Sequence, residues 1–496
     1  MNAIILPTAK HSSRRLQQKR RQKVHIAVLA FAIILAVGTG LRLWRLGVSP
    51  AWQWDEAVYY RVSVNVQNGV LGEHPLHGVP WQPFLYQPPF YFLLLSRWFD
   101  IIGASIYHAR ILGVLLTAGM LAVLFRLLWK IHGPQVALLA IVPVVLDGWL
   151  MYIERVSFIE NALLLIITVA FLLYQRALER PSWQRFAVAG AAVGTAADFK
   201  QTGAYVILAV LLCWLVTGSA HQGHFVLLAV ALLVIAAYVA GMATLFDFPG
   251  HDWFISQSLV QVRRVLGLQQ SGGTLTSLSA AVHLLAAQYR YFVSDAVVAL
   301  ASVSIVVRRI VQCYRARSWR PAQANALLFS WLVAGMVVFG LSSLKFPQYI
   351  ALILIPAYCF LWTELSRRDW RRASKIATAG AAALAGIASL VMAVPAFSGN
   401  ALAEAQQYAA QRIPATSVVV TEQSIGDLIR QPWCTVEQAA ACRHDASYAI
   451  TWRTYLQSSF GQADPAFHQL MRGAARIRSF SGAVGTATVW RLRAAS

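Results

Sequence analysis

Charge is what this sequence has least of. Only 12% of its 496 residues are Asp, Glu, Lys or Arg, where an average soluble domain has about 25%. Acidic residues are scarcer still: 20 stand against 42 Lys and Arg, for a formal net charge of +22. A chain this poor in charge is not a soluble globular enzyme, and with 58% hydrophobic residues it is not a disordered one. Five cysteines are too few for a disulfide scaffold, and no CxxC-type metal site is present. There is no P-loop and no GxGxxG turn, the usual cradles for a nucleotide. A basic excess raises nucleic acid as a partner, but runs such as VALLAIVPVV do not build a nucleic-acid-binding surface. Long apolar runs stand where charge is missing, and mean hydropathy is +0.55. A polytopic membrane protein remains.

A membrane-crossing helix needs about 20 apolar residues. Eleven segments qualify, near 24–41, 109–128, 135–151, 159–175, 186–198, 203–218, 225–246, 291–307, 324–341, 349–365 and 376–396. With the N-terminus cytoplasmic and every segment crossing, the cytoplasmic pieces hold 22 Lys and Arg against three acidic residues. The external loops before residue 397 hold 11 of each sign, and the tail 397–496 holds nine basic and six acidic. This is the positive-inside pattern, with N in and C out. Counting 89–103 as a twelfth span would put the basic clusters 308–320 and 367–375 outside, so it is not a span. The long basic start and the lack of an A-x-A site make 24–41 an uncleaved helix rather than a signal peptide.

The expected fold class is therefore an all-α polytopic membrane protein with about 11 transmembrane helices. It divides into a basic cytoplasmic N-terminus (1–23), a transmembrane domain (24–396) and an external domain (397–496). The external loop 41–110 is rich in Trp and Tyr, which favour the membrane–water boundary. Its stretches 55–67 and 89–101 are expected as helices lying on the outer membrane face. In the tail, VVVTEQ (418–423), SYAITW (447–452), IRSFSG and GTATVWRL alternate as strands, and IGDLIRQ starts a helix, which suggests a small α/β domain. Cys434 and Cys442 fall in this tail. On an oxidising face they can pair; two unpaired thiols fit the spacing equally. Cys213, Cys313 and Cys359 lie in or beside spans as packing residues.

The most informative residues are Asp55 and Glu56 in WQWDEAVYY. Acids at a helix start are also what the macrodipole favours. Here, however, the same outer face gathers Arg61, Glu154, Arg155, Glu160, Lys200, Arg263, Arg264 and Lys345, each near a span end. A carboxylate there can act as general base on an acceptor hydroxyl, and cations beside it can stabilise a departing phosphate. Each residue also has a plainer use. Lys200 and Lys345 can snorkel from a span end, Glu160 can be a helix-start acid, and Tyr349 can anchor at the interface. His74, His77 and His108 with Glu73 lack a fixed ligand geometry and read as loop residues.

The sequence resembles the GT-C superfamily of integral-membrane glycosyltransferases, in the branch of protein O-mannosyltransferases and the lipid A aminoarabinose transferase. The resemblance covers roughly 24–365 and rests on five ordered pieces: WDEAVYY; QPPFYFLLLSRWFDIIG with SIYHARILGVLLTAGMLAVLFRL; YIERVSFIENALLL; GTAADFKQTGAYVIL; and SLKFPQYIALILIP. It implies a GT-C fold and a polyprenyl-phosphate sugar donor. It also implies a hydroxyl acceptor on a glycolipid or protein, and inverting transfer on the external (periplasmic) face of the plasma (inner) membrane. Carried over residue by residue, it implies Asp55 as catalytic base, Glu56 as a support for it or for the acceptor, and Glu160 as a second carboxylate that positions acceptor or sugar. It places Lys200, Lys345 and Tyr349 near the lipid phosphate. Arg61, Arg263 and Arg264 join that group from charge and side alone.

Two departures stand out: Gln87 precedes the double proline and Val58 follows Glu56 by two, positions where the branch often has a basic residue. No cofactor is certain from the sequence, which leaves a divalent metal open. The rival readings are a lipid or solute transporter or flippase, and a polyprenyl-linked polysaccharide ligase. Against a transporter, the ionisable groups sit at external edges and no internal repeat is seen.

Overall fold

The computed structural model describes residues 9–47, 54–69, 88–218, 222–245, 293–323, 325–341, 347–366, 380, 384, 386–391, 401–426, 428–452, 465–482 and 485–493. Ten of the eleven apolar segments coincide with described helices. These are α1 (Ala9–Leu43), α4 (Ile106–His132), α5 (Pro134–Leu146) with α6 (Gly148–Glu154), α7 (Ile159–Glu179), α8 (Trp183–Phe199), α9 (Tyr205–Thr217), α10 (Gly223–Leu245), α11 (Val293–Ala316), α12 (Ala326–Leu341) and α13 (Pro347–Ser366). The eleventh segment, 376–396, lies largely outside the described residues. Six of these helices are long and apolar enough to cross a membrane singly, and a seventh crossing follows if α5 and α6 count as one broken span.

The segment 135–151, expected as one span, is broken. The chain bends by 67° between α5 and α6. Asp147 causes it: its backbone is extended, and its side chain caps α6 by accepting from the Leu150 N–H at 2.7 Å. A helix N-cap is a start signal, so a span that contains one restarts in a new direction. The Asp147 carboxylate also accepts from the hydroxyls of Tyr358, at 2.6 Å, and Ser389, at 3.2 Å, which holds the bend against α13.

Both stretches expected at the membrane face are helical. They are α2 (Trp54–Gln67) and α3 (Phe90–Ile102). Pro89 stands just before α3, and Gly103, at φ 88°, ends it. Its 13 residues reach about 20 Å, short of a bilayer core of about 30 Å. The two pair through aromatic edges: Tyr59 meets Tyr91 at 5.9 Å and Phe92 at 5.7 Å, and Tyr60 meets Phe99 at 5.6 Å. The ordered core runs through α4, α5, α7, α8 and α13, with α8 packed on α7 and α10. Gly190 permits the α8–α10 approach, since a Cβ there would stand 2.3 Å from the Leu227 carbonyl oxygen.

Residues 401–491 form a separate α/β unit. Helix α14 (Ala401–Arg412) precedes a five-stranded sheet of order β2-β1-β3-β5-β4. The strands are β1 (Val418–Thr421), β2 (Trp433–Thr435), β3 (Ala446–Trp452), β4 (Ala475–Gly482) and β5 (Gly485–Arg491). β1 pairs in parallel with β2 and β3, and β5 runs antiparallel to β3 and β4. Four strands fall where alternation puts them. β2 has three residues, too few to show a period. The unit rests on the membrane part: the turn Gln423–Gly426 packs on α2, and Ile106 at the start of α4 packs into its core.

Cys434 of β2 and Cys442 are joined in a disulfide, and Cys213, Cys313 and Cys359 are buried free thiols. Closing a loop this short stabilises a fold by about 2–3 kcal/mol. Peptide mapping without reductant should recover Cys434 and Cys442 cross-linked, and Cys434→Ser should lower the tail's unfolding midpoint while leaving the membrane part unchanged.

Candidate active site

The site is built at the N-terminal turn of α2. Asp55 and Glu56 are neighbours, and successive helix residues point about 100° apart, so they serve different surroundings. Glu56 is fully buried. Its two oxygens accept from Nε and Nη2 of Arg110, both at 2.7 Å, and Oε1 also accepts from the Ser157 N–H at 3.0 Å. Arg110 is fully buried too, and its Nη1 donates to the Leu46 carbonyl at 2.9 Å. Tyr91 shares a hydrogen bond with the Ser157 hydroxyl at 2.8 Å. Glu56 therefore ties α2 to α4, to the α6–α7 link and to the end of α1. Both its oxygens are engaged there, so the hold that Glu56 provides on α2 is mechanical.

Asp55 is partly open. Its Oδ2 accepts from Gln348 Nε2 at 2.8 Å. Burial pushes its pKa up to about 6; Lys200 and the Gln348 hydrogen bond pull it down, and Glu160 adds to the rise. Lys200 follows α8 directly, held there by a turn that Gly203 permits: a Cβ on Gly203 would stand 2.1 Å from the Ala196 carbonyl oxygen. Lys200 Nζ donates to Glu160 Oε1 at 2.6 Å, and it lies 5.2 Å from the centre of the Tyr349 ring. Burial works against the charge of Lys200, yet Glu160, Tyr349 and Asp55 together hold its pKa above the ordinary lysine value. Glu160 Oε2 is buried with no hydrogen-bond partner among the described residues.

The structure thus brings together Asp55, Glu160, Lys200 and Tyr349, from α2, α7, the α8 end and α13. Arg61 lies on α2 but faces about 120° away from Asp55, and it is not among the groups that shift Asp55. Lys345, Arg263 and Arg264 lie outside the described residues, as do Gln87, His74 and His77. Glu154 and Arg155, counted among the outer-face charges, are structural. Glu154 pairs with Arg42, and Arg155 donates to the carbonyls of Leu41 at 3.0 Å and Trp44 at 2.6 Å. Val58 is fully buried in the apolar core, so the missing basic residue there would have had no open site to serve. Among the described residues no group of three His, Cys, Asp or Glu could hold a metal. Sequence reasoning missed Arg110 and Gln348. Arg110 carried one signal, a lone charge at the start of an apolar span; Gln348, neutral, carried none.

Known proteins resemble the chain in sequence over one stretch and in fold over most of its length. Residues 86–244 match the family model of the dolichyl-phosphate-mannose-protein mannosyltransferases. The matched stretch is about a third of the chain. ArnT from Cupriavidus metallidurans, solved with undecaprenyl phosphate, is similar over 93% of this chain and 97% of its own, with 13% identity and a TM-score of 0.62. The archaeal oligosaccharyltransferase AglB from Archaeoglobus fulgidus, solved with an inhibitory peptide and dolichol-phosphate, is similar over 92% of this chain and 74% of its own. Its identity is 12% and its TM-score 0.57. At these identities the solved structures speak for the fold. No curated protein matches the chain by sequence.

Removing one partner of a buried ion pair costs about 3–5 kcal/mol, while replacing both by apolar groups is often neutral. Arg110→Leu should therefore lower the melting temperature sharply. Glu56→Leu combined with Arg110→Leu should recover most of it while transferase activity stays low, because α2 is then packed but no longer registered. Thermal unfolding and activity assays of the three proteins check this.

Proposed function

We propose that the enzyme moves a sugar from a polyprenyl-phosphate donor to a hydroxyl acceptor on the external face of the membrane, with inversion at the anomeric carbon. The observation that carries this reading is the state of the three carboxylates. Glu56 is paired with Arg110 and Glu160 with Lys200, and both are fully buried, whereas Asp55 is partly exposed. Retention by double displacement uses a nucleophile and a separate acid/base carboxyl. A single open base suits direct displacement, in which the acceptor oxygen attacks C1 from the side opposite the phosphate.

In this mechanism Asp55 takes the acceptor's proton as the new C–O bond forms. The bond from C1 to the phosphate oxygen breaks, and its electron pair leaves with the lipid phosphate. A base with a pKa near 6 is ionised at neutral pH yet basic enough to help. Lys200 is the cation toward the phosphate. It is already charged and already oriented by Glu160 and Tyr349, so little reorganisation is needed as charge develops. Glu160 Oε2 is available to accept from a hydroxyl of sugar or acceptor. Lys345, Arg263 and Arg264 are proposed as further cations toward the phosphate, and Arg61 as a more distant one.

The side of the membrane follows from charge and connectivity. One span, α1, separates the basic N-terminus from α2. The C-terminal unit packs on α2, so it lies on the same side, and the total number of crossings is odd. Eleven crossings satisfy this and place 22 Lys and Arg inside against three acidic residues. The disulfide in that unit suits an oxidising exterior. The location is the plasma (inner) membrane, with the acceptor a glycolipid or protein reached from outside.

Asp55→Asn should abolish transfer while protein yield and melting temperature stay at wild-type values; turnover within a few-fold of wild type contradicts the assignment. For the wild type, the base must be ionised, so kcat/KM should rise with pH through about 6 and be lost below it. Lys200→Ala should raise KM for the lipid donor more than for the acceptor, measured by initial rates against each substrate.

A further inference from the structure

Helix α13 begins with Pro347, and its next two residues reach the two halves of the site. Gln348 donates to Asp55 Oδ2 at 2.8 Å, and the ring of Tyr349 lies 5.2 Å from Lys200 Nζ. Gln348 is 5% exposed and Tyr349 8%, so neither is a surface residue that meets its partner by chance. No second hydrogen-bond partner for the Asp55 carboxylate occurs among the described residues. One of its oxygens is therefore occupied and the other has no hydrogen-bond partner among the described residues, on a residue that is partly exposed.

Resting on the reading of Asp55 as base, we propose that Gln348 is a positioning residue: it holds Oδ2 so that Oδ1 is presented to the acceptor hydroxyl. The choice of side chain follows from what a neighbour does to a base. A lysine or arginine at this place would orient the carboxylate but strip its basicity, because an adjacent cation favours the ionised form. A glutamate would raise the basicity and repel the carboxylate it must orient. An amide donates one directed hydrogen bond and carries no charge, so it fixes the torsion of Asp55 at small cost in proton affinity. Lys200 and Glu160 face the same carboxylate with opposite signs and leave its orientation to the amide. Because Gln348 and Tyr349 are consecutive in one helical turn, base and phosphate cation are registered to a common frame.

The test compares Gln348→Met, which keeps the shape and removes the donor, with Gln348→Glu, which keeps the shape and reverses the polarity. Initial rates across the pH range separate kcat from KM for each substrate. Loss of a hydrogen bond to a charged group is worth about a tenfold change. Gln348→Met should therefore lower kcat about tenfold, leave KM for the lipid donor unchanged, and move the acidic limb of the pH profile upward. Gln348→Glu should move that limb further up, and it carries the same test should Gln348→Met fold poorly. A folded variant with the wild-type limb and wild-type kcat, or a loss confined to KM, overturns the proposal. Asp55→Asn run alongside separates the two failures. If it retains turnover, the base assignment fails. If it is dead while Gln348→Met keeps the wild-type limb, only the role of Gln348 fails.

Discussion

Everything at the site depends on where α2 is held, and α2 is held by the buried ion pair of Glu56 and Arg110. Helix α2 has 14 residues, too few to cross a bilayer core, and is connected to α1 by a short link. Apolar contacts with α3 would let such a helix rotate or slide. A bidentate carboxylate–guanidinium pair does not, because both hydrogen bonds fail together when either partner shifts. The pair is further fixed by the Leu46 carbonyl and the Ser157 N–H. Its value lies less in net stability, which burial of two charges largely offsets, than in register. With Glu56 fixed, its neighbour Asp55 has one direction left to face.

The remaining parts repeat the same device at other depths. Arg42 with Glu154 fixes the end of α1 against α6, and Asp147 fixes the α5–α6 bend against α13. Lys200 with Glu160 fixes the α8 end against α7. Each joins residues 40 or more positions apart at the end of the bundle where α2 begins. At the opposite end, Arg309 pairs with Glu364 and Lys130 with Glu179. The ends of the bundle are thus held by directed polar contacts. Its middle is held by apolar packing, which tolerates more variation.

The hydropathy pattern and the sorting of basic residues made the helical architecture legible, because a bilayer admits few alternatives: about 20 apolar residues cross, and positive loops stay inside. Asp55 was legible from its place after the first span. The division of labour between Asp55 and Glu56 was not, since it is decided by Arg110, 54 positions away, and adjacent acids look alike in a sequence. Glu160 and Lys200 were each visible as charges at span ends, but their pairing depends on how α7 and α8 pack. Gln348 was invisible because a neutral amide near a span start carries no signature. The bend at Asp147 was hidden by the apolar residues on both sides of it.

The central claim is that this arrangement breaks the bond between a sugar and a lipid phosphate and uses Asp55 to do it. The most direct measurement gives purified protein a polyprenyl-phosphate sugar together with an acceptor-containing membrane extract, and follows free polyprenyl phosphate by mass spectrometry. The account predicts release that matches sugar transfer one for one in the wild type and none in Asp55→Asn. Passage of intact lipid-linked sugar across the membrane with no free polyprenyl phosphate formed would contradict it.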